Sequence, residues 1–211
     1  MRTVLIDYGA GNLHSVAKAL TAAGLSVSLV RTPLEAEGAD VAILPGQGHF
    51  GQVARMFAAS GFEPWLRDHV EANRPFLGIC VGLQLLMDGS DEAPGVPGLG
   101  ILPGWVRRFP EAGPSVPHMG WNSVHRVGAS PLLDGLPDGS HAYFAHSYYV
   151  DFAGREGWTG GTTQYGDVTL LSTVSRGALH ATQFHPEKSQ RFGLYVLRRF
   201  ADDARRWVEA S

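Results

Sequence analysis

The chain has 211 residues, a formal net charge of -3, 44% hydrophobic residues, 18% charged residues and one cysteine. That length suits one compact domain, residues 1–211, with a single sizeable core, and the modest charged share argues against long disordered tails. Lys/Arg runs no longer than pairs such as Arg107-Arg108 exclude a nucleic-acid footprint, no apolar run reaches membrane-spanning length, and one thiol cannot close an internal disulfide, so a reducing cytoplasm is expected and the cysteine is free for chemistry.

The chain enters Thr3-Val4-Leu5-Ile6-Asp7 directly, so no secretory leader is expected, and this run reads as a strand. A Gly-rich turn follows, Gly9-Ala10-Gly11-Asn12, then a helix over Leu13 to Ala23 closed by Gly24. The Gly9-x-Gly11 turn does not make a dinucleotide fingerprint, because His14 stands where the third glycine belongs. Ser26 to Thr32 and Asp40 to Leu44 read as strands, the latter ending in Pro45-Gly46-Gln47-Gly48. Two short helices fill His49 to Asn73, Pro75 to Ile79 is a fourth strand, and Val81 to Met87 a helix. Alternation of this kind predicts a parallel sheet covered on both faces.

Cys80 falls on the turn between that fourth strand and its helix, with Gly78 and Gly82 two residues to either side. Gly-x-Cys-x-Gly is the cysteine counterpart of the nucleophile elbow, whose sharp turn needs neighbours without Cβ atoms. The helix start favours a thiolate, and the backbone N–H of Val81 is placed to donate to a developing oxyanion. A buried structural cysteine is the competing reading.

Beyond Asp88 the pattern changes. Gly and Pro are frequent up to Pro117, with a strand at Gly104 to Phe109; further strands are expected at Asn122 to Arg126, Ala142 to Val150, Val168 to Val174 and Ala178 to Phe184. This half reads as a β-rich extension of the same sheet or a small sheet beside it. His185-Pro186-Glu187 ends the last strand. Pro186 biases His185 to extended geometry, which puts Glu187 on the same side as the imidazole. A nucleophile, base and orienter of Cys80, His185 and Glu187 would follow the logic of the serine triads. No metal is expected, since no pair of the nine histidines has ligand spacing with a third donor. The final helix spans Gln190 to Val208, with Phe192, Val196, Phe200, Ala204 and Trp207 facing the core.

Pro45-Gly46-Gln47-Gly48, Gly78-Ile79-Cys80-Val81-Gly82-Leu83-Gln84 and His185-Pro186-Glu187 together resemble the class I, triad-type glutamine amidotransferases, in order and spacing, across nearly the whole chain. Asp7-Tyr8-Gly9-Ala10-Gly11-Asn12-Leu13, Pro117-His118-Met119-Gly120-Trp121-Asn122, Phe144-Ala145-His146-Ser147-Tyr148 and Lys188 narrow the resemblance to the glutaminase branch that serves imidazole glycerol phosphate synthesis. The resemblance implies an α/β fold: three layers, a mostly parallel flavodoxin-like sheet with helices on both faces, and a β-rich C-terminal half. It implies catalysis by Cys80, His185 and Glu187, and an oxyanion site from Val81 and the Gly46-Gln47 loop. It further implies a glutamine site at Gly48, Gln84, Ser147 and Tyr148, the last two acting through backbone. Asn12, Trp121, Tyr143 and Lys188 would face a (β/α)8 cyclase in a heterodimer, with no cofactor. Gln47 departs from the small apolar residue common at its place, which bears on the loop's dynamics. A glutaminase of pyridoxal phosphate synthesis, a non-catalytic regulatory subunit and a cysteine peptidase are the alternatives; the Pro117 hexapeptide and the intact triad weigh against them.

Overall fold

The computed structural model describes residues 1–151 and 157–210. The first half alternates strand and helix as expected: β1 (Thr3–Ile6), α1 (Leu13–Ala22), β2 (Val27–Val30), the single turn α2 (Pro33–Ala36), β3 (Val41–Gly46), α3 (Phe50–Ser60), α4 (Phe62–Glu71), β4 (Phe76–Cys80) and α5 (Val81–Leu85). The boundary between α3 and α4 is Gly61, whose left-handed φ of 75° ends one helix and starts the next. There follow β5 (Gly89–Ser90), β6 (Trp105–Arg108), β7 (His118–Val127), β8 (Ser140–His146), β9 (Tyr148–Val150), β10 (Thr159–Tyr165), β11 (Val168–Arg176), β12 (Leu179–Thr182), a 3-10 turn at Pro186–Lys188 and α6 (Gln190–Ala210).

Nine strands form one sheet in the order β2-β1-β3-β4-β12-β11-β10-β7-β8. The first five run parallel; β11, β10, β7 and β8 continue it in antiparallel sense. A small sheet, β5-β6-β9, lies beside it, so both arrangements expected of the second half are present. Strands β1, β3, β4 and β12 are buried along their whole length, as parallel strands covered on both faces must be. Chain direction across the sheet reverses between β1 and β3, so right-handed crossovers place α1 and the α3–α4 pair on opposite faces. Helix α6 packs on α1 and α3 packs on α4 and α5. Phe192, Val196, Phe200 and Ala204 are buried, whereas Trp207, expected in the core, is only half-buried near the helix end.

Elements α2 and β5 were not expected from the sequence, and three further strands differ from expectation. Strand β10, Thr-Gly-Gly-Thr-Thr-Gln-Tyr, has no apolar alternation; Gly160 lies so close to β11 that an added Cβ would sit 2.0 Å from the Thr173 carbonyl oxygen, and the register shifts between Gly161 and Thr162. Glycine here permits close backbone approach and a bulge. Strand β7 begins at His118, four residues before the expected start, because it carries exposed Met119 and Trp121. The single strand expected at Ala142 to Val150 is two, broken at Ser147, with β8 in the large sheet and β9 in the small one.

The junction of β4 with α5 is tightly packed. A Cβ on Gly82 would lie 2.1 Å from the Leu44 carbonyl oxygen, and one on Gly46 would lie 2.6 Å from the Gly82 nitrogen. These are backbone atoms on buried strands and cannot yield. Gly82→Ala is therefore expected to destabilise the fold by about 3 kcal/mol or more, read from urea unfolding midpoints; a loss under about 0.5 kcal/mol would contradict the packing.

Candidate active site

Strands β1, β3, β4 and β12 end on the same edge, where open α/β sheets bind ligands. Cys80 is the last residue of β4 and sits at φ 54°, ψ -108°. This is a left-handed backbone that a non-glycine residue adopts at a cost of order 1–3 kcal/mol. Gly78 and Gly82 permit it: a Cβ on Gly78 would lie 3.0 Å from the Gly82 carbonyl oxygen. The strain turns Cys80 out of the sheet and brings it to the first turn of α5, where Val81 N–H has no intrahelical acceptor.

His185 has extended φ and ψ of -94° and 99°, and Pro186 to Lys188 form a single 3-10 turn. Glu187 Oε1 accepts a hydrogen bond of 2.9 Å from His185 Nδ1, and the two side chains are 5% and 2% exposed. The turn is pinned to β8: His185 N–H donates to the Tyr143 carbonyl, Tyr143 N–H to Ser189 Oγ, and Ser189 Oγ to the His185 carbonyl. Burial disfavours the imidazolium, but hydrogen bonds to Cys80 and Glu187 outweigh it and raise the His185 pKa to about 10. With Nδ1 given to Glu187, Nε2 serves Cys80. At neutral pH the ring is charged, which places a cation beside the Cys80 sulfur. Among the described residues, Glu187 Oε2 is buried without a hydrogen-bond partner.

A cavity of about 270 Å³ opens over Cys80 and is lined by Gln47, Gly48, Val81, Gln84, Ser147 and Tyr148, so the expected oxyanion and substrate residues converge with the nucleophile. Gly46 stands behind the lining, clamped against Val81 and Gly82. Gly48 is its opposite: φ is 107° and, among the described residues, nothing lies within 4 Å of an added Cβ. The loop is thus fixed at Gly46 and unconfined at Gly48. Of the four residues expected to face a partner, exposed Asn12 caps α1, its side chain accepting from Ser15 N–H at 3.3 Å, and lines a groove of about 540 Å³ across the Gln47–Gly48 loop from the cavity. Trp121 and Tyr143 meet edge to face across β7 and β8 at 5.9 Å, and Lys188 is exposed at the end of the 3-10 turn. None of these four lines the cavity.

Three residues not expected from the sequence to have a site role belong to the site. Gln183 is fully buried; its Nε2 lies 3.8 Å from Cys80 Sγ and its Oε1 accepts from Gln84 Nε2 at 3.1 Å. Tyr8 donates to the Pro45 carbonyl at 2.7 Å, holding the strand that leads to the Gly46 loop, and burial followed by proximity to Cys80 raises its pKa. Glu92 lines the cavity and accepts from Phe50 N–H at 2.7 Å. Tyr8 lies inside the Asp7-to-Leu13 motif and Gln183 two residues before His185-Pro186-Glu187; Glu92, in a Gly/Pro-rich stretch, gave no signal.

A second nucleophile-like constellation has a different character. Ser175 Oγ lies 2.8 Å from His180 Nδ1 and His180 Nε2 3.0 Å from Asp203 Oδ2, yet Ser175 and His180 are 3% and 0% exposed. No substrate reaches them, and the group ties β11 and β12 to α6. Among the described residues no cluster of His, Cys, Asp and Glu could hold a metal ion.

Burial holds three other histidines neutral, lowering their pKa values from 6.5 to about 4 for His69, about 4 for His118 and about 3 for His146. Below about pH 6.5 the unfolded chain binds protons on these rings and the folded chain does not, so acidification favours unfolding. The melting temperature is expected to fall as pH drops from about 6.5 to about 5, above the carboxylate range. A melting temperature constant over that window would contradict the neutral assignment.

Comparison with known proteins agrees with this geometry. The family Glutamine amidotransferase class-I matches residues 4–204. The imidazole glycerol phosphate synthase subunit HisH of Synechococcus sp. (strain JA-2-3B'a(2-13)) is 48% identical over 204 residues, covering 96% of this chain and 93% of that protein. Imidazole glycerol phosphate synthase hisHF, chloroplastic, of Arabidopsis thaliana is 45% identical over 198 residues, 93% of this chain but 33% of that longer one. A crystal structure of a glutamine amidotransferase superposes with a TM-score of 0.74 at 25% identity, over 95% of this chain and 98% of its own. Because the matched stretch spans the elbow, the base and its acidic partner, the chain belongs to the class-I glutamine amidotransferases.

Proposed function

We propose that this chain is the glutaminase of an imidazole glycerol phosphate synthase. In this reading it hydrolyses L-glutamine to L-glutamate and ammonia, in the cytoplasm and without a cofactor. The ammonia passes to a (β/α)8 cyclase bound as a heterodimer, which forms imidazole glycerol phosphate and aminoimidazole carboxamide ribonucleotide for histidine biosynthesis. The observation that carries it is the Glu187–His185 hydrogen bond of 2.9 Å behind a strained Cys80 in an amino-acid-sized cavity. The names borne by the relatives support the synthase assignment, and the family match over residues 4–204 supports reading the chain as one domain.

Cys80 Sγ attacks the side-chain carbonyl carbon of glutamine, and the carbonyl π-bond electrons move to oxygen. Val81 N–H and an N–H of the Gly46–Gln47–Gly48 loop donate to that oxyanion. His185 delivers its proton to the leaving nitrogen, ammonia departs, and a glutamyl thioester remains on Cys80. Water then attacks the thioester as His185 takes its proton, and glutamate leaves with Cys80 restored. Glu187 holds the ring and balances its charge throughout. Gln84, with Gly48 and the Ser147–Tyr148 backbone, holds the substrate; Glu92, the acidic side chain lining the cavity, suits its α-ammonium group.

The cavity mouth carries Met119, 64% exposed, and Trp121 lies nearby on β7 at 47% exposed. Exposed apolar side chains of this size on a strand mark an interaction surface. A partner seated there, extending over Asn12, Tyr143 and Lys188, would receive ammonia before it meets bulk water. In the Arabidopsis relative the matching stretch is part of a longer synthase chain, which supports contact between the two activities.

Cys80→Ala in complex with the cyclase is expected to lose glutamine-dependent product formation by at least about a thousandfold, while added ammonium salt restores it. Steady-state product formation with each nitrogen source makes the comparison. Glutamine-dependent turnover near the parent rate would refute the assignment of the nucleophile. Failure of ammonia to restore product in a folded complex would refute the division of labour.

A further inference from the structure

The buried His118 and His146 lie outside the triad, yet their hydrogen bonds form a directed chain. Tyr148 O is a carbonyl and can only accept; it takes hydrogen bonds from His146 Nδ1 at 2.8 Å and Gln84 Nε2 at 3.0 Å. His146 must therefore carry its proton on Nδ1, leaving Nε2 as an acceptor. That nitrogen lies 2.9 Å from His118 Nδ1, so His118 is protonated on Nδ1 and accepts at Nε2. The far end reaches the same assignment independently. Asn122 Nδ2 lies 3.2 Å from His118 Nε2, and its orientation is set because it donates to the Gln164 carbonyl at 3.1 Å while Oδ1 accepts from Ser123 N–H at 2.8 Å. An amide NH2 only donates, so His118 Nε2 must be bare.

The rings are held in place as well as in tautomer. His118 is stacked between Phe144 at 4.6 Å and Tyr165 at 3.9 Å, and Phe109 packs against His146 at 5.5 Å. A proton added to either ring would set two N–H donors face to face. The charged His185 also opposes a charge on His146.

We propose that His118 and His146 are positioning residues for glutamine: a pair locked in the Nδ1–H tautomer that fixes the Tyr148 carbonyl, and with it the Ser147–Tyr148 segment and Gln84, to strand β7. Both lone pairs of Tyr148 O are occupied, so this peptide cannot turn over without breaking two buried hydrogen bonds. The chain begins at Asn122, next to exposed Trp121, so the strand bearing the exposed apolar face and the substrate-binding backbone move as one unit. The inference rests on the proposed glutaminase reading for its substrate, but the tautomers rest on geometry alone.

Two measurements test it. In nitrogen-15 NMR of the unmodified full chain at neutral pH, both rings are expected as neutral Nδ1–H tautomers. An Nε2–H tautomer or an imidazolium at either ring would overturn the proposal, whether or not the chain hydrolyses glutamine. The second uses variants in the complex with the cyclase. An Asn amide nitrogen lies as many bonds from Cβ as Nδ1 does, and a Gln amide group as many as Nε2. His146→Asn thus keeps the donor to Tyr148 O, whereas His146→Gln keeps only the link to His118. KM for glutamine is expected to rise about tenfold in His146→Gln and less than about threefold in His146→Asn, with kcat within about threefold of parent in both. A His146→Gln variant with the parent KM, or a loss confined to kcat, would overturn the positioning role. Absence of glutaminase activity in the parent complex would instead refute the proposed function.

Discussion

The site depends on a contact that only glycine allows. Where β3 passes the start of α5, the Leu44 carbonyl oxygen occupies the place a Gly82 Cβ would take, and Gly46 is pressed against the Gly82 nitrogen from the same side. That closeness lets α5 start immediately after β4, which forces Cys80 to φ 54° and lifts it out of the sheet. It also places the Gly46–Gln47–Gly48 loop beside Val81 N–H, so nucleophile and candidate oxyanion donors are set by one packing event. The strain at Cys80 is sustained by four parallel strands buried along their whole length.

Histidines are held in opposite charge states within this small volume. His185 has a buried carboxylate and the Cys80 sulfur as neighbours, and their hydrogen bonds favour its imidazolium form. His146 has a carbonyl, another imidazole and apolar rings, and burial keeps it neutral to about pH 3. Partners decide the difference, since both residues are buried, at 4% and 7% exposed. In the proposed reaction, a proton store for the leaving amine and a neutral hydrogen-bonding frame for the substrate are thereby kept separate.

Much of this was legible in the sequence because local constraints leave local marks. The Gly78-Ile79-Cys80-Val81-Gly82 spacing announces the elbow, and His185-Pro186-Glu187 announces an extended histidine with an acid on the same side. Long-range pairing left no such mark. Gln183 reaches Cys80 from an apolar-looking strand, and Glu92 comes from a Gly/Pro-rich stretch with no periodicity. Strand β10 was missed because its glycines serve backbone approach rather than packing, and the break at Ser147 because Tyr148 is drawn to Gln84, which is distant in sequence. Two short helices were expected across His49 to Asn73, but their division at Gly61 came only from the structure.

The most direct test is to ask where a glutamine mimic reacts. The intact chain, incubated with a diazo-ketone analogue of glutamine, digested and mapped by mass spectrometry, is expected to carry one adduct, on Cys80, with labelling suppressed by excess glutamine. An unlabelled Cys80, or labelling that glutamine fails to suppress, would contradict the account that this strained cysteine is the nucleophile of a glutamine site.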